Sequence, residues 1–152
     1  MTKEEALDLL KSNVARFNEL RQNNQERLDL SGVDLSRTNL KGADLRRIDF
    51  TGATFQEANL SEAQFGGDIL RDADFRGADL TEANFHHAMM QGADIRGADF
   101  NPNTRMGRIC VNLASFEKVR WDKPVLEEIL AILNTNQDWL IQYEIIPKVT
   151  SP

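Results

Sequence analysis

Apolar residues recur at every fifth position through the middle of the chain. The large member of each five-residue unit is Leu, Phe, Met or Ile, and it recurs without a gap from Leu30 to Phe100. A second series, made mostly of alanine, lies two residues before the first and begins at Leu28 and Val33. A short fixed period of this kind predicts a solenoid, in which neighbouring units stack around one continuous core.

The spacing excludes a helix and favours short extended segments. Five helical residues advance by about 500°, so successive apolar side chains would point about 140° apart and form no stripe. One residue, usually Asp or Asn, separates the small and large apolar positions, which gives the alternation of a strand. The other two residues are turn formers, as in Ser31-Gly32 and Thr51-Gly52. Each unit is therefore predicted to be a short strand and a corner, with its two apolar residues facing inward.

Several stretches resemble the pentapeptide-repeat family, whose units follow the pattern A-(D/N)-(L/F)-x-x. Examples are residues 78–85, ADLTEANF, and residues 92–100, GADIRGADF, and the resemblance extends through consecutive units over 28–100. It implies an all-β solenoid, a right-handed quadrilateral parallel β-helix of about four to five coils, with about four units in each coil. Residues twenty apart would then stack, as in the column of Phe65 and Phe85.

The residues before the repeats predict one capping helix over 2–21. Thr2 and Glu5 have the spacing of a capping box. The apolar residues that follow recur at helical spacing: Ala6, Leu10, Val14 and Phe17. We expect this helix to cover the N-terminal end of the solenoid, which would otherwise expose apolar side chains and an unpaired backbone edge.

The residues after the repeats predict a second cap, at the C-terminal end of the solenoid. A loop over 101–103 inserts one extra residue, and the five-residue period then resumes over 104–121, which predicts a degraded final coil. Residues 122–152 are expected to form a C-terminal cap or tail of one or two helices, although 138–146 fits a strand as well as a helix. The whole of 1–152 is thus expected to be a single domain.

Composition limits the compartment and the chemistry. No signal peptide or transmembrane run is evident, and the single cysteine, Cys110, excludes an internal disulfide, so we expect a cytoplasmic protein without membrane contact. The sequence has no Ser/His/Asp grouping, no phosphate-binding glycine loop and no metal-ligand spacing. We therefore expect no catalytic residue, no cofactor and no metal, and a protein that is not an enzyme.

The charge of the repeats bears on a second hypothesis, the mimicry of DNA. Some pentapeptide-repeat proteins imitate duplex DNA and bind a type II topoisomerase. The net charge is −6, and residues 28–100 account for all of it, with thirteen acidic and seven basic side chains. Over a predicted axis of about 18 Å, this is about one charge per 3 Å, against about one per 1.7 Å in duplex DNA. The repeats are therefore acidic but less densely charged than DNA, and we expect no direct binding of nucleic acid.

Unit 66–70 departs most from the repeat. Asp68 takes the small inward position, Ile69 takes the outward one, and Met89 lies one coil above Ile69. Since a buried unpaired carboxylate is costly, Asp68 either faces inward with partners or leaves through a bulge. Ile69 and Met89 form either a docking patch for another protein or a surface beneath a flanking helix.

One corner of the predicted solenoid concentrates basic residues. His86-His87 would stack above Gly66-Gly67 and Arg46-Arg47. A metal site needs more ligands than two histidines supply. Two interpretations remain for this corner: a solvent-facing turn, or a small-anion site formed by the arginines and one histidine.

The C-terminal tail is richer in apolar residues than one cap requires. It forms either a lid or an interface with a partner protein or a second copy of the chain. The candidate residues in this tail are Trp139, Leu140, Tyr143 and Ile146. We therefore predict a non-catalytic scaffold or regulatory protein with an unidentified protein partner, and a homodimer through the C-terminal region is a further possibility.

Overall fold

A computed structural model describes residues 1–23, 26–99 and 127. The degraded coil predicted over 104–121 lies outside the described residues, and so does the C-terminal cap over 122–152 apart from residue 127. Within the described ranges, no helix is long and apolar enough to cross a membrane.

The repeat region pairs each coil with the next at a spacing of twenty residues. Strand β1 (Leu28–Asp29) pairs in parallel with β2 (Ile48–Asp49). Beyond them, single parallel bridges join residues twenty apart, from the pair Asp34 and Thr54 to the pair Asp79 and Asp99. Regular strands are few because each unit contributes so short an extended piece before it turns. The chain is a repeat solenoid, as its five-residue period predicts.

The core consists of the two inward positions of each unit. Every large apolar residue of the described units is buried, from Leu30 to Ile95. Phe65 stacks on Phe85 with ring centroids 4.8 Å apart, which confirms the predicted column. Neighbouring columns meet edge to face, as Phe65 and Phe75 do at 5.9 Å. The core is thus one continuous stack rather than a set of separate clusters.

The outward Asp or Asn of a unit closes the corner that follows it. Asp29 Oδ1 accepts a hydrogen bond from Ser31 N at 2.8 Å, and Asp49 Oδ1 accepts one from Thr51 N at 2.9 Å. The hydrogen bonds from Ser31 hold the pKa of the Asp29 carboxyl below its ordinary value. These carboxylates therefore belong to the turns and do not merely face water.

The single helix predicted over 2–21 is wrong, because the structure has two helices there. Thr2 and Glu5 do form the capping box of α1 (Lys3–Ser12). Asn13 interrupts the helix, with φ of −154° and ψ of 80°. Its Oδ1 accepts a hydrogen bond from Arg16 N at 3.0 Å, at the start of α2 (Val14–Asn23). The asparagine side chain thus gives the backbone a cap in place of a continued helix.

Side chains of both helices cover the first coil. Leu10 and Phe17 are buried in the same core as the repeats. Asn18 Nδ2 donates to Gly42 O at 3.0 Å, and Asn18 Oδ1 accepts from Asp44 N at 2.8 Å. One amide side chain therefore pairs with an edge of the first coil much as another coil would.

Candidate interaction surface

Ile69 and Met89 are the two apolar residues in the outward columns of the described units. The other residues at this position, from Asp29 to Asp99, are Asp, Asn, Gln or Thr. The two are joined by a parallel bridge, and each is half-buried. Arg71 Nη2 lies 3.9 Å from Met89 Sδ. Because neither side chain can accept the corner hydrogen bond that Asp accepts, this pair, hereafter the apolar pair, lacks that structural role.

Asp68 faces inward, which answers the question that the sequence left open. It has no exposed surface, and its Oδ1 accepts a hydrogen bond from Ile48 N at 2.8 Å. The backbone N–H of Arg47 also donates to this carboxyl. One unit earlier, the equivalent N–H of Gly42 donates to Ser61 O at 2.9 Å. Asp68 therefore takes a place in the ladder between coils and does not leave through a bulge.

Burial controls the ionisation of Asp68. It raises the pKa of the carboxyl to about 8, although the two backbone donors and the charge of Arg21 act in the opposite direction. Asp68 Oδ2 has no hydrogen-bond partner among the described residues. The neutral form is favoured because desolvation penalises the charge. Near pH 7 Asp68 is therefore mostly protonated, and it acts on stability rather than as an exposed binding group.

Arg21 joins the helical cap to the corner of the repeats. It is 7% exposed, and its Nη2 donates to Arg46 O at 2.6 Å while its Nη1 donates to Glu26 O at 3.0 Å. Burial lowers the pKa of Arg21, and the charges of Arg47 and Arg46 lower it further, against the opposing effect of Asp44. The guanidinium nevertheless remains charged.

The helical spacing of Asn18 and Arg21 in the sequence could have indicated their role in the cap, although the apolar pattern alone did not. Both continue the helical face of Val14 and Phe17, at spacings of three, four and seven residues from Val14. A polar residue on the apolar face of a capping helix indicates a backbone partner at the end of the solenoid.

A cleft opens where Gly66 lies between Arg46 and His86. One cavity of about 240 Å³ is lined by Arg21, Asp44, Arg46, Arg47 and Gly66. A second cavity of about 500 Å³ is lined by Arg46, Gly66, Gly67, Asn84, His86 and His87. The cavities share Arg46 and Gly66, and together they are called the basic corner cleft. Across the described parts of the chain, no group of His, Cys, Asp or Glu is suited to hold a metal ion.

Basic side chains pair with acidic ones in this cleft, as Arg46 does with Asp44, and at other corners too. The nitrogen–oxygen distances of the following pairs lie between 2.7 and 3.0 Å: Arg37–Glu57, Lys41–Glu62, Arg76–Asp74 and Arg96–Asp94. Positive charge therefore interrupts the acidic surface of the repeats.

Of the predicted interaction residues, the described part of the chain contains Ile69 and Met89, and the structure brings these two together. Trp139, Leu140, Tyr143 and Ile146 lie outside the described residues. Ile69 and Met89 stack as their twenty-residue spacing predicts, and their role in binding stays a prediction.

Comparison with protein families supports the five-residue repeat. Residues 29–67 and 69–101 match the model for pentapeptide repeats, in eight copies. The gap between the two matched segments falls on Asp68, the residue that takes the inward position otherwise held by small apolar side chains. No curated protein matches the sequence.

Three solved structures illustrate the likeness. A pentapeptide-repeat protein from the thylakoid lumen of Arabidopsis thaliana is 32% identical, with a TM-score of 0.44, over 60% of this chain and 59% of that one. Rfr23 from the cyanobacterium Cyanothece is 28% identical, with a TM-score of 0.39, over 64% and 59%. A pentapeptide-repeat protein from Nostoc is 26% identical, with a TM-score of 0.41, over 73% and 94%. The matched region thus spans 59% of the first two structures.

Proposed function

We propose that the chain is a member of the pentapeptide-repeat family and a non-catalytic scaffold or regulatory protein, which binds another protein through its repeat surface. The observation that carries this proposal is the apolar pair, at two positions where the other described units have polar residues. The proposal includes a cytoplasmic location and a right-handed quadrilateral solenoid with helical caps at both ends.

The architecture suits a binding surface. The stacked rings of Phe65 and Phe85 show that equivalent residues of successive coils repeat at about 4.8 Å. Backbone pairing between coils fixes this spacing, so side chains of one column are held in place before a partner arrives. Pre-organisation of this kind lowers the ordering cost of association.

The apolar pair is the best candidate for the centre of such a surface. Interfaces place apolar side chains at their centre and polar ones at the rim. Asp49 lies one coil before Ile69 in the same outward column, and Arg71 borders Met89. A partner that covers Ile69 and Met89 would therefore bury an apolar contact with charged groups around it.

The C-terminal residues belong to a separate part of the proposal. Trp139, Leu140, Tyr143 and Ile146 are proposed to form a lid or a homodimer contact. Solution mass measured on the chain and on a Trp139→Ser/Tyr143→Ser variant tests the dimer, which predicts a twofold difference in mass.

Mimicry of DNA has weaker physical support. The ion pairs at Arg37, Arg76 and Arg96 place positive charge within the surface that would have to resemble phosphates. We expect micromolar protein to leave gyrase supercoiling, and its inhibition by a quinolone, unchanged. Protection of gyrase at that concentration would favour the DNA-mimic function instead.

Site-directed photo-crosslinking in the native host tests the proposed surface. A photoreactive residue at position 89 should give a discrete crosslinked protein, and the same residue at position 54 should not. Position 54 is a matched control, because Thr54 occupies the same place in its unit on another side of the coil and is also half-buried. Equal crosslinking at both positions, or none at position 89, would contradict the proposal.

A further inference from the structure

The basic corner cleft holds more positive than negative charge. Among the described residues, Arg21, Arg46 and Arg47 line one cavity with a single carboxylate, that of Asp44. The nearby carboxyl of Asp68 is buried and largely neutral near pH 7. This corner is thus a positive site on repeats that are acidic as a whole.

Gly66 makes room in this cleft without being required by the backbone. It is the glycine at the first corner position of its unit, where other described units have side chains. Its φ is not positive, and an added Cβ would lie 3.6 Å from His86 O and 3.8 Å from Arg46 Cγ, which are ordinary contacts. Neither conformation nor packing demands glycine here, yet its missing side chain leaves the space that joins the two cavities.

Arg46 is held in a fixed position with donors to spare. Its Nε and Nη2 each donate to the Asp44 carboxylate at 2.7 Å. A guanidinium has five N–H groups, so this pairing leaves others for a ligand. Arg21 is fixed by two backbone carbonyls, which keeps its charge at the inner wall of the cleft.

We propose that the basic corner cleft binds a phosphomonoester group, with Arg46 and Arg47 as hydrogen-bond donors and Arg21 as a buried positive charge. Guanidinium forks match phosphate oxygens, and a doubly charged oxyanion balances the excess of three cations over one carboxylate. His86 and His87 lie on the far wall, with ring centroids 4.1 Å apart, and add donors next to the same space. This site goes beyond the proposed scaffold function, since its ligand requires no contact with the apolar pair.

Titration with inorganic phosphate, followed by backbone NMR shifts at pH 7 and constant ionic strength, tests the proposal. Saturable shifts should centre on Arg46, Gly66 and His86. Gly66→Gln fills the cleft with a side chain that stands at the same corner position in Gln56 and Gln91, so it should fold normally and weaken binding at least tenfold.

A matched pair of arginine variants separates the cleft from general charge. Arg47 and Arg37 occupy the last position of their units, and both have positive φ, at 61° and 56°. Arg47→Gln should weaken phosphate binding about tenfold, and Arg37→Gln should leave it unchanged. Equal effects of the two variants, or equal shifts on titration with chloride, would overturn the proposal.

The source of the group is resolved by two further probes, a phosphoserine peptide and its unphosphorylated form. If the phosphopeptide binds tenfold more tightly than inorganic phosphate, the group belongs to a protein. If the two bind with equal affinity, the ligand is a small phosphate. Both results require loss of binding in Gly66→Gln. Equal binding of the two peptides would contradict recognition of phosphate.

Discussion

The corner after Asp49 and the corner after Ile69 share one backbone register but differ in chemistry. Asp49 Oδ1 accepts from both Thr51 N and Thr51 Oγ1, at 2.9 and 2.7 Å. Ile69 offers no acceptor, yet the ladder continues past it, with Leu70 N donating to Met89 O at 2.8 Å. The stacked core and the backbone ladder therefore maintain the fold at both corners, and the outward side chain can change without loss of register.

A core substitution should have the largest effect on stability. Phe65 is fully buried and its ring lies within 6.3 Å of four other phenylalanine rings. Phe65→Ala should lower the free energy of unfolding by about 3–5 kcal/mol, because it leaves a cavity in the stack. Thr54→Asn, on the outside, should change it by less than about 0.5 kcal/mol. Similar losses in urea unfolding would show that the core does not dominate.

Asp68 should make the free energy of unfolding depend on pH. Its pKa is about 8 in the folded protein, against an ordinary value of 3.8 for aspartate, so between these values the folded state holds a proton that the unfolded state has lost. Stability should therefore fall as pH rises from about 5 to 8, by at most about 1.4 kcal/mol per pH unit. It should level off above pH 8.

The variant Asp68→Asn isolates this effect. The variant keeps an oxygen acceptor for Ile48 N and cannot ionise. The difference between its free energy of unfolding and that of the wild type should therefore increase, in favour of the variant, as pH rises across the same window. The carboxyls of Asp44 and Asp94 have lowered pKa values, so their contribution is lost only in more acidic solution. Parallel stability curves for variant and wild type between pH 5 and 8 would contradict the buried, protonated carboxyl.

The helical cap should contribute less than the core. Asn18→Ala removes two hydrogen bonds at the edge of the first coil and should cost about 1–3 kcal/mol, because Gly42 O and Asp44 N lose their partner. Glu19→Ala, on the exposed side of α2, loses only a surface ion pair with Arg16 and should cost about 0.5 kcal/mol or less. Equal costs in thermal unfolding would mean that Asn18 does not protect the edge.

Replacing Gly66 and Gly67 by alanine should change the free energy of unfolding differently at the two positions. Gly67 has φ of 78°, so Gly67→Ala should lose about 1 kcal/mol from backbone strain. Gly66 lacks a positive φ, so Gly66→Ala should be neutral or stabilising by up to about 1 kcal/mol. A comparable loss in both variants would show that Gly66 is a structural requirement rather than the space of a binding cleft.

The five-residue pattern predicted the core and the stacking of its columns. The period places Phe65 beneath Phe85 and Ile69 beneath Met89, and the structure has both contacts. This succeeds because twenty-residue stacking depends on repeated local geometry, which is the same in every unit. The apolar pair could be nominated for the same reason, since it is visible as a departure from a regular background.

Three features depend on contacts that the five-residue apolar pattern does not predict. Asp68 is a polar residue whose burial depends on the backbone donors of Arg47 and Ile48 in the preceding coil. Arg21 and Asn18 depend on carbonyl and amide groups at the edge of the first coil. The helix break at Asn13 depends on a local side-chain hydrogen bond that competes with an apolar pattern running through it. Residue type alone does not determine these outcomes.

The apolar pair can be tested for structural and binding roles at the same time. The double variant Ile69→Asn/Met89→Asn places the residue of the regular corners at both sites, with Thr54→Asn as the control. Two quantities are measured on the same preparation of this variant. One is its free energy of unfolding, and the other is the amount of partner protein crosslinked to a photoreactive residue at position 71. We expect stability within about 1 kcal/mol of the wild type and loss of the partner in the double variant alone. A large loss of stability with the partner still recovered would contradict the account.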